Sequence, residues 1–501
     1  MPCPAHRVDR GTAAHLDAGA GVNDSTAPET WRRSASIVWA QAWPTAITML
    51  SYTLMQFVDA LMVAQVSPVA LAAQGNGAIW SFAPLAFLFG VLSVVNAFVA
   101  QSLGAGDRRA LARHAWAGVW TALLAWLFVM LPWALVLPTL FSLLDHEPEL
   151  RRLETTYAQI LAAGALLSLG SKAMSNVFFG LHRPRVITIA AILGNLANGT
   201  LNYVLIFGEE GLPAWGLPGI PGVPALGVAG AALGTLGGVA VELVLPMSLF
   251  LGRTLDERWG IRRAWRFPAP EIRRLLKVGL PASVQFGNEI VCWAIFMTVL
   301  VGHFGTLHIT AGWATLRYMH LSFMPAAGFS VAATSLLGRA IGEGRPDLGK
   351  RRVRTAVIIA ASYMAACGLV MAIFRHPLLG VFVPDDASAE SAAQILAIGS
   401  GMMICAAVFQ LFDAVGIVYI GGLRGAGDTL VPGIVTLALA WGVIVGGGWA
   451  LVRFAPQLES LGPWIASSVY IIVLGVVMGL RFERGRWMGR RLVPAPETAA
   501  A

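Results

Sequence analysis

Charged side chains are scarce in this sequence. Asp, Glu, Lys and Arg make up only 12% of its 501 residues, whereas 56% of the residues are hydrophobic. A water-soluble globule of this length cannot bury so large an apolar fraction. The composition therefore excludes an ordinary soluble protein and indicates a protein that crosses a membrane many times.

Residues typical of covalent or metal chemistry are also sparse. The four cysteines, Cys3, Cys292, Cys367 and Cys405, fit neither a disulfide framework nor a zinc site. The nine histidines show no HExxH-like spacing, and no phosphate-binding loop is present. We expect no cofactor and no enzyme activity, with a polytopic membrane enzyme kept as an alternative. Residues 1–34 lack the apolar core of a signal peptide and are expected to form a disordered cytoplasmic tail.

Long apolar runs are what the sequence has instead. Crossing a hydrocarbon core of ~30 Å takes roughly 20 mostly apolar residues. Twelve such runs occur, which predicts an all-α polytopic membrane protein with twelve transmembrane helices. They lie at 36–64, 71–101, 114–140, 156–178, 186–207, 226–251, 278–302, 309–338, 354–374, 391–421, 430–452 and 461–481.

Basic residues concentrate in every second connection between these runs. The intervening connections contain only Arg151, Arg152, Arg375 and Arg453. Because positively charged loops stay in the cytoplasm, we expect a bacterial inner (plasma) membrane protein with both termini in the cytoplasm. The net charge of +8 then follows from topology, and no nucleic-acid partner is expected. The basic segment 253–277 is expected to be a cytoplasmic linker on the anionic leaflet, with a separate binding module as the alternative.

The chain repeats itself. "SLGAGD" after the second run and "RAIGEG" after the eighth, the Gly-Leu pairs at 180 and 422, and Pro44 and Pro281 are all about 240 residues apart. Because each half holds an even number of spans, the halves enter the membrane the same way round. We predict two six-helix bundles, 35–252 and 278–482, related by a pseudo-two-fold axis along the membrane normal. Residues 483–501 are expected to be a cytoplasmic tail.

Several longer stretches resemble one transporter family. "QFVDALMVAQVSPVALAAQGNGAIW", "LLKVGLPASVQFGNEIV", "GRAIGEG" and "FQLFDAVGIVYIGGLRGAGDT" are similar to the multidrug and toxic compound extrusion (MATE) family, NorM-type branch. The resemblance implies a V-shaped antiporter that exports organic cations through a central cavity in exchange for Na⁺ or H⁺, and a monomer is expected. A flippase for a lipid-linked glycan shares this architecture and stays as the alternative, but it would show additional spans or a strongly cationic cavity.

Six charged residues fall within the predicted spans. Each costs roughly 2.5–3.5 kcal/mol at the middle of a membrane, so such residues usually face a cavity or a partner. Glu242, which matches no family motif, is expected to be hydrogen-bonded between helices, and the role of Lys172 is left open. The six are Asp59, Lys172, Glu242, Glu289, Arg317 and Asp413.

The resemblance implies that Glu289 and Asp413 hold the coupling ion, Na⁺ or H⁺. Hard cations prefer oxygen ligands, and two converging carboxylates repel one another unless a cation or proton lies between them. Gln285 and Asn288 continue a polar stripe with Glu289 along the seventh span. Phe409 stands one turn before Asp413 where relatives often have Tyr, which removes one hydroxyl ligand.

Asp59 is the matching candidate in the N-terminal half. Tyr52 and Gln56 precede it on the first span and are predicted to line the cavity with it. The fifth span carries a ladder of amides that is expected to face Asp59, either joining helices or supplying ligands. Relatives place an Asp at the last of these positions, so its replacement weakens a proton relay here. The ladder is Asn195, Asn198 and Asn202.

Arg317 is an unusual cation in the eighth span, where relatives often carry a neutral residue. A guanidinium at membrane depth needs an acidic partner or water. If Arg317 pairs with Glu289 or Asp413, only one carboxylate is left for the coupling ion. On that hypothesis protons support transport and sodium supports it less strongly than the resemblance implies.

Overall fold

The computed structural model describes residues 29–212, 216–383 and 388–493. In these ranges the regular elements are helices, apart from one isolated bridge between Leu212 and Leu217. Eleven helices are long and apolar enough to span a membrane, and one bent pair makes a twelfth span. In chain order they are α1 Trp31–Ala64, α2 Pro68–Gly104, α3 Arg108–Ser142, α4 Pro148–Ala163 with Ala165–Gly180, α5 Pro184–Glu210, α6 Gly227–Phe250, α7 Ala269–Phe304, α8 Thr306–Gly342, α9 Pro346–Ile373, α10 Ala389–Gly425, α11 Leu430–Phe454 and α12 Leu461–Glu483.

The prediction of twelve transmembrane helices is confirmed, and the helices extend beyond the apolar runs that revealed them. The fourth span bends by 45° between its two parts. α7 begins at Ala269, so the last part of the segment predicted as linker is the start of a helix. The rest of that segment contains the short helix Arg253–Trp259, and the Trp116 indole of α3 donates to the Ile261 carbonyl at 2.8 Å, which holds the segment against the N-terminal bundle.

Local sequence explains where the helices start. The Ser67 hydroxyl accepts from the Ala70 N–H at 3.0 Å, and Asp107 Oδ1 accepts from the Ala110 N–H at 2.9 Å. These side chains satisfy N–H groups that have no partner within the first turn. Proline occupies the first position of four helices, where its missing N–H costs nothing. These are Pro68, Pro148, Pro184 and Pro346.

Each half of the chain packs around its own apolar core. One core is built mainly from the C-terminal helices, together with Val38 and Ala42 of α1, and two others are built mainly from the N-terminal helices. Many large apolar side chains point outward instead, such as Phe128 at 69% and Leu135 at 78% exposure. Outward-facing apolar surface of this kind is favourable in lipid and unfavourable in water.

The repeated glycines form the contact between the bundles. We call the side of the membrane where α1 begins and α12 ends the terminus side, and the opposite side the far side. A Cβ on Gly104 would collide with the Arg339 carbonyl, and one on Gly342 would collide with the Gln101 carbonyl. The two helix ends, α2 and α8, are therefore in reciprocal backbone contact. This close approach gives the repeated motif a physical reason.

Every hydrogen bond that joins the two bundles in the described residues lies on the terminus side. α2 and α4 are linked to α8, to α10 and to the segment after α12. The bundles are thus joined at the terminus side, which is what a V shape that opens at the far side requires. These bonds run from Asn96 Nδ2 to the Val331 carbonyl at 3.2 Å, from Gln101 Nε2 to the Gly425 carbonyl at 2.9 Å, from His182 Nε2 to the Ser335 carbonyl at 3.2 Å, and from the Leu492 N–H to Gln101 Oε1 at 2.8 Å. On the same side, Arg113 Nη1 of α3 donates to Glu271 Oε1 of α7 at 3.4 Å, and Arg352 Nη2 of α9 donates to Glu29 Oε2 at 3.1 Å.

The predicted tails differ in how far the structure describes them. The first helix begins at Trp31, and residues 1–28 of the predicted N-terminal tail lie outside the described residues. In the predicted C-terminal tail, Trp487 is fully buried, and Arg490 Nη1 lies 3.0 Å from Asp428 Oδ1. The chain as far as Val493 is therefore packed against the terminus side. Residues 494–501 lie outside the described residues.

Candidate functional site

Two acids of the C-terminal bundle converge from different helices. Glu289 of α7 and Asp413 of α10 are both partly exposed and lie within electrostatic range of one another. The Tyr470 hydroxyl of α12 donates to Glu289 Oε1 at 3.4 Å, a long hydrogen bond. In the described part of the chain, no hydrogen bond to the Asp413 carboxylate is formed. We call Glu289, Asp413 and Tyr470 the C-bundle site.

The polar stripe of α7 continues from the C-bundle site toward α11. Gln285 and Asn288 are each 6% exposed, and Asn288 Oδ1 accepts from the Trp441 indole at 2.7 Å. Phe409 is fully buried in the core. A hydroxyl is nevertheless present beside Glu289, because Tyr470 supplies it from a helix that sequence reasoning did not consider.

One cation close to the C-bundle site is Arg424, which the sequence placed in a cytoplasmic connection. It lies instead within α10 and is only 7% exposed. Its guanidinium is 5.1 Å from the centre of the Phe286 ring, one turn before Glu289 on α7, and it lies within electrostatic range of Glu289. Sequence reasoning missed it because "GGLRGAGD" reads as a glycine-rich loop.

Arg317 does not take the position that the sequence suggested. Its side chain is exposed, in a shallow groove with Trp313 and Phe382. Within the described residues it forms no salt bridge with Glu289 or Asp413. The Arg317 pair of that hypothesis is therefore not formed in this structure. The guanidinium can instead be hydrated, since it is exposed near the far side.

Asp59 occupies a more enclosed site in the N-terminal bundle. It is 5% exposed, and Asn202 Nδ2 donates to its Oδ1 at 2.5 Å. The Thr235 hydroxyl of α6 lies 3.4 Å from the other carboxylate oxygen, a partner that the sequence did not reveal. Asn198 is buried beside them, and its amide nitrogen has no hydrogen-bond partner among the described residues. We call Asp59, Asn198, Asn202 and Thr235 the N-bundle site.

The other predicted residues of the N-terminal bundle do not join this site. Asn195 Nδ2 donates to the Ser51 carbonyl at 2.9 Å, so this amide joins α5 to α1. Gln56 is exposed. The Tyr52 hydroxyl donates to Glu242 Oε1 at 2.5 Å instead of approaching Asp59. Tyr52 and Gln56 therefore do not lie in one site with Asp59, although all three belong to α1.

Glu242 is hydrogen-bonded between helices, as its lack of a family motif suggested. Besides Tyr52, the Ser171 hydroxyl of α4 donates to Glu242 Oε1 at 2.8 Å. Lys172, the next residue, lies within electrostatic range of Glu242, and its Nζ is 5.2 Å from the centre of the Phe89 ring. The acid is thus held in place from two other helices.

The donor set of the C-bundle site suits a small hard cation. Two carboxylates and one phenol offer oxygen ligands of the kind that Na⁺ prefers. Partial exposure gives an ion access from the cleft. A proton fits equally, since either acid can carry it. In the described residues, no three or more His, Cys, Asp and Glu side chains are grouped so that they could hold a metal ion.

Comparisons with known proteins agree with this architecture. The MatE family model matches the chain twice, at residues 44–204 and 288–447, which confirms the internal repeat. The chain is 29% identical to the probable multidrug resistance protein NorM of Mesorhizobium japonicum, over 96% of this chain and 98% of that protein. It is 30% identical to the multidrug resistance protein PmpM of Pseudomonas aeruginosa, over 88% of this chain and 90% of that protein.

A solved structure supports the fold. A multidrug resistance MATE family transporter of the MOP superfamily in its outward-facing conformation superposes with a TM-score of 0.79 at 21% identity. The match covers 90% of this chain and 95% of that one. Matches over both halves of the sequence, full-length relatives and the twelve-helix fold lead to one conclusion: the chain belongs to the MatE family and is a membrane transporter of NorM type.

Proposed function

We propose that this protein is a secondary antiporter that exports organic cations from a bacterial cytoplasm in exchange for Na⁺ or H⁺. Its termini lie in the cytoplasm, and its cleft opens outward in the state described above. The C-bundle site holds the coupling ion. The relatives' names, which refer to multidrug resistance, support organic drugs as the substrate class.

The observation that carries this proposal is the unsatisfied pair of carboxylates within the C-terminal bundle. Glu289 has one long hydrogen bond, and Asp413 has none in the described part of the chain. Arg424 lies within electrostatic range of Glu289 and offsets one of the two negative charges. The remaining charge, with so few donors, is unstable at membrane depth without a further cation. A bound Na⁺ or proton removes this cost, and so does a substrate cation. Exchange between them is therefore favourable at one site.

The coupling follows from this competition. In the outward-open state, the external ion binds the C-bundle site and displaces the organic cation. Neutralised acids then permit closure of the far side, because burying them no longer leaves an uncompensated charge. The ion leaves toward the cytoplasm, and a new organic cation can bind the exposed acids. The driving energy is the difference in the ion's free energy between the two sides of the membrane.

The test is dye transport in proteoliposomes. Rhodamine 123, a fluorescent organic cation, is loaded so that the protein must pump it against its gradient. A sodium gradient and a pH gradient are each imposed alone. We expect at least one gradient to drive transport, and collapse of that gradient with the matching ionophore to stop it.

Two results would contradict the antiporter. One is dye movement that is the same with and without either gradient. The other is gradient-driven movement that persists in a variant lacking both Glu289 and Asp413 carboxylates. Glu149→Gln, which neutralises an exposed acid at the start of α4, is the matched control and should transport like the wild type.

A further inference from the structure

The segment that follows the last span reaches both bundles. Residues 484–493 come after α12 and lie on the terminus side, and we call them the strap. Trp487 of the strap is fully buried in the core that is built mainly from the C-terminal helices. Leu492, near the other end of the strap, packs against a core that is built mainly from the N-terminal helices. One short segment thus joins the two bundles.

The strap is anchored on the C-terminal bundle. The Trp487 ring stacks on the Phe482 ring of α12 with the ring centres 4.9 Å apart, and its indole donates to the Phe482 carbonyl at 2.8 Å. Arg490 Nη1 donates to Asp428 Oδ1 at 3.0 Å. Asp428 is 1% exposed, and Arg481 Nη2 of α12 lies 2.6 Å from its other oxygen. Two guanidinium groups therefore compensate this buried acid, and one of them belongs to the strap.

The strap reaches the N-terminal bundle through Gln101 of α2. The Leu492 N–H donates to Gln101 Oε1 at 2.8 Å, and Gln101 Nε2 donates to the Gly425 carbonyl of α10 at 2.9 Å. The Leu492 side chain lies so close to Gly427 that a Cβ there would collide with it. Gln101 is only 1% exposed. Both polar ends of its buried amide are therefore satisfied by the C-terminal half of the chain.

The corresponding segment of the first half packs on its own bundle. After α6 the chain forms the short helix Arg253–Trp259, which packs on α3 and α6. Ile261, just beyond it, is 1% exposed within the core that is built mainly from the N-terminal helices. A segment after the last span of a half can therefore cover the end of its own bundle without reaching the other. The path of the strap to α2 is thus an addition to the repeat.

The strap stabilises only the state in which the terminus side is closed. A transporter that takes its substrate from the cytoplasm must open this side, which separates the end of α2 from the ends of α8 and α10. The strap cannot then stay attached to both bundles, and Gln101 loses both of its partners. Because a buried polar group without a partner is costly, these contacts favour the closed state over the open one.

We propose that the strap is a latch that holds the terminus side closed and must detach from α2 before that side opens. Trp487 and the pair of Arg490 with Asp428 keep the strap on the C-terminal bundle, and the end that contains Leu492 is released from Gln101. The strength of the latch then sets how often the terminus side opens. This inference rests on the proposed function, because only a transporter needs to open this side.

The test measures how often the contact between the bundles opens. Ser335 of α8 is 1% exposed, and its carbonyl accepts from His182 of the N-terminal bundle, so opening of the terminus side uncovers it. Ser335→Cys is introduced into the full chain with the native cysteines replaced by serine. The protein is placed in phosphatidylcholine nanodiscs without dye or gradient and treated with sulfonatoethyl methanethiosulfonate. With the strap intact, we expect slow labelling of the new cysteine.

Variants of the strap should accelerate labelling in a fixed order. Trp487→Ala removes a fully buried anchor and should raise the rate by about tenfold or more. Leu492→Ala keeps the N–H but loses packing, and about fivefold is expected. Arg490→Gln removes a half-exposed ion pair that contributes little, so about twofold is expected. Arg484→Gln is the matched control and should label like the wild type, because Arg484 is exposed and forms no ion pair in the described residues.

A second reporter separates release of the latch from general loosening. Cys292 is fully buried past the midpoint of α7. In a protein that retains only this cysteine, its labelling should stay at the wild-type rate in all strap variants.

Two results would overturn the latch. One is labelling of Ser335→Cys at an unchanged rate in both Trp487→Ala and Leu492→Ala. The other is equal acceleration at Cys292 and at Ser335→Cys, which would make the strap a part of the fold and no more. Failure of the antiporter is distinct from both, because it appears as absent gradient-driven efflux of rhodamine 123 although labelling follows the expected order.

Discussion

The acids of the two bundles differ in how well their surroundings satisfy them. Asp59 in the N-bundle site is nearly inaccessible and receives a short hydrogen bond from Asn202 and a longer one from Thr235. Glu289 and Asp413 in the C-bundle site are partly exposed; Glu289 accepts one long hydrogen bond, and Asp413 accepts none in the described residues. The bundles are repeats of one another, yet among the described residues the carboxylates of the C-terminal bundle have fewer hydrogen-bond donors.

This difference indicates a division of labour. A hydrogen bond to a charged group contributes about 1.5–3 kcal/mol, so the donors around Asp59 compensate much of the cost of its burial. An ion that displaced them would gain little. At the C-bundle site less of this cost is compensated, because Glu289 has one long hydrogen bond and the nearby Arg424, and Asp413 has no hydrogen bond in the described residues. An ion therefore gains more by binding there. We therefore expect exchange at the C-bundle site and a mainly structural role for the N-bundle site.

The largest effect is expected from removal of a carboxylate at the C-bundle site. Asp413→Asn and Glu289→Gln keep the shape of the side chain but cannot carry the exchanging charge. Gradient-driven efflux of rhodamine 123 should fall by about a hundredfold in each, the upper range of coupling free energies between two ligands. Insertion and yield should match the control Glu149→Gln. Transport at the wild-type rate in either variant would show that the pair does not couple the ion.

A smaller effect is expected at the N-bundle site. Asp59→Asn replaces the carboxylate, which accepts from both Asn202 and Thr235, by an amide with one acceptor oxygen. The lost hydrogen bond should misplace α1 against α5 and slow efflux by about tenfold. Ion binding at the C-bundle site should remain measurable. Loss of ion binding in this variant would show that the two sites act as one and that the comparison above is wrong.

The hydroxyl of Tyr470 should have a moderate effect. Tyr470→Phe removes the phenol oxygen, one of the three groups of the C-bundle site that offer oxygen ligands to the ion, and the loss of one neutral polar contact costs about 0.5–1.5 kcal/mol. We expect the ion concentration that gives half-maximal efflux to rise about threefold to tenfold, with little change in the maximal rate. A fall in the maximal rate with an unchanged half-maximal concentration would place Tyr470 in the movement of the bundles instead.

The smallest effect is expected from Arg317. Its guanidinium is exposed and unpaired in the described residues, so Arg317→Gln should change efflux by less than about twofold. The ratio of sodium-driven to pH-driven efflux should stay the same. A shift of that ratio toward sodium would mean that Arg317 approaches the acids in another state of the transport cycle.

The sequence alone predicted the features that every membrane-spanning chain must have. Apolar length gave the twelve spans, because lipid leaves few alternatives to long apolar helices. The spacing of Asn198 and Asn202 placed amides opposite Asp59, and the Asn202 contact is observed. Hydropathy gave no sign that α7 begins at Ala269, because its first turns lie in a polar, amphipathic segment.

Contacts between helices that are far apart in the sequence could not be predicted from the sequence. Tyr470 is a single hydroxyl in an apolar helix, and nothing local indicates that it reaches α7. Arg424 lies among glycines at the end of α10, where a loop and a tightly packed helix have the same composition. Its burial follows from backbone contacts such as that between Gly425 and the Thr334 carbonyl, which depend on the packing of α10 against α8.

The most direct measurement is release of bound dye by the coupling ion in the absence of any gradient. Rhodamine 123 is bound to the protein in nanodiscs, and sodium is raised or pH is lowered while fluorescence anisotropy is recorded. We expect one of these ions to release the dye from the wild type and from Asp59→Asn, and to have no effect on the double variant Glu289→Gln/Asp413→Asn with dye bound at high concentration. Equal release from the double variant and the wild type would contradict the assignment of the coupling ion to the C-bundle site.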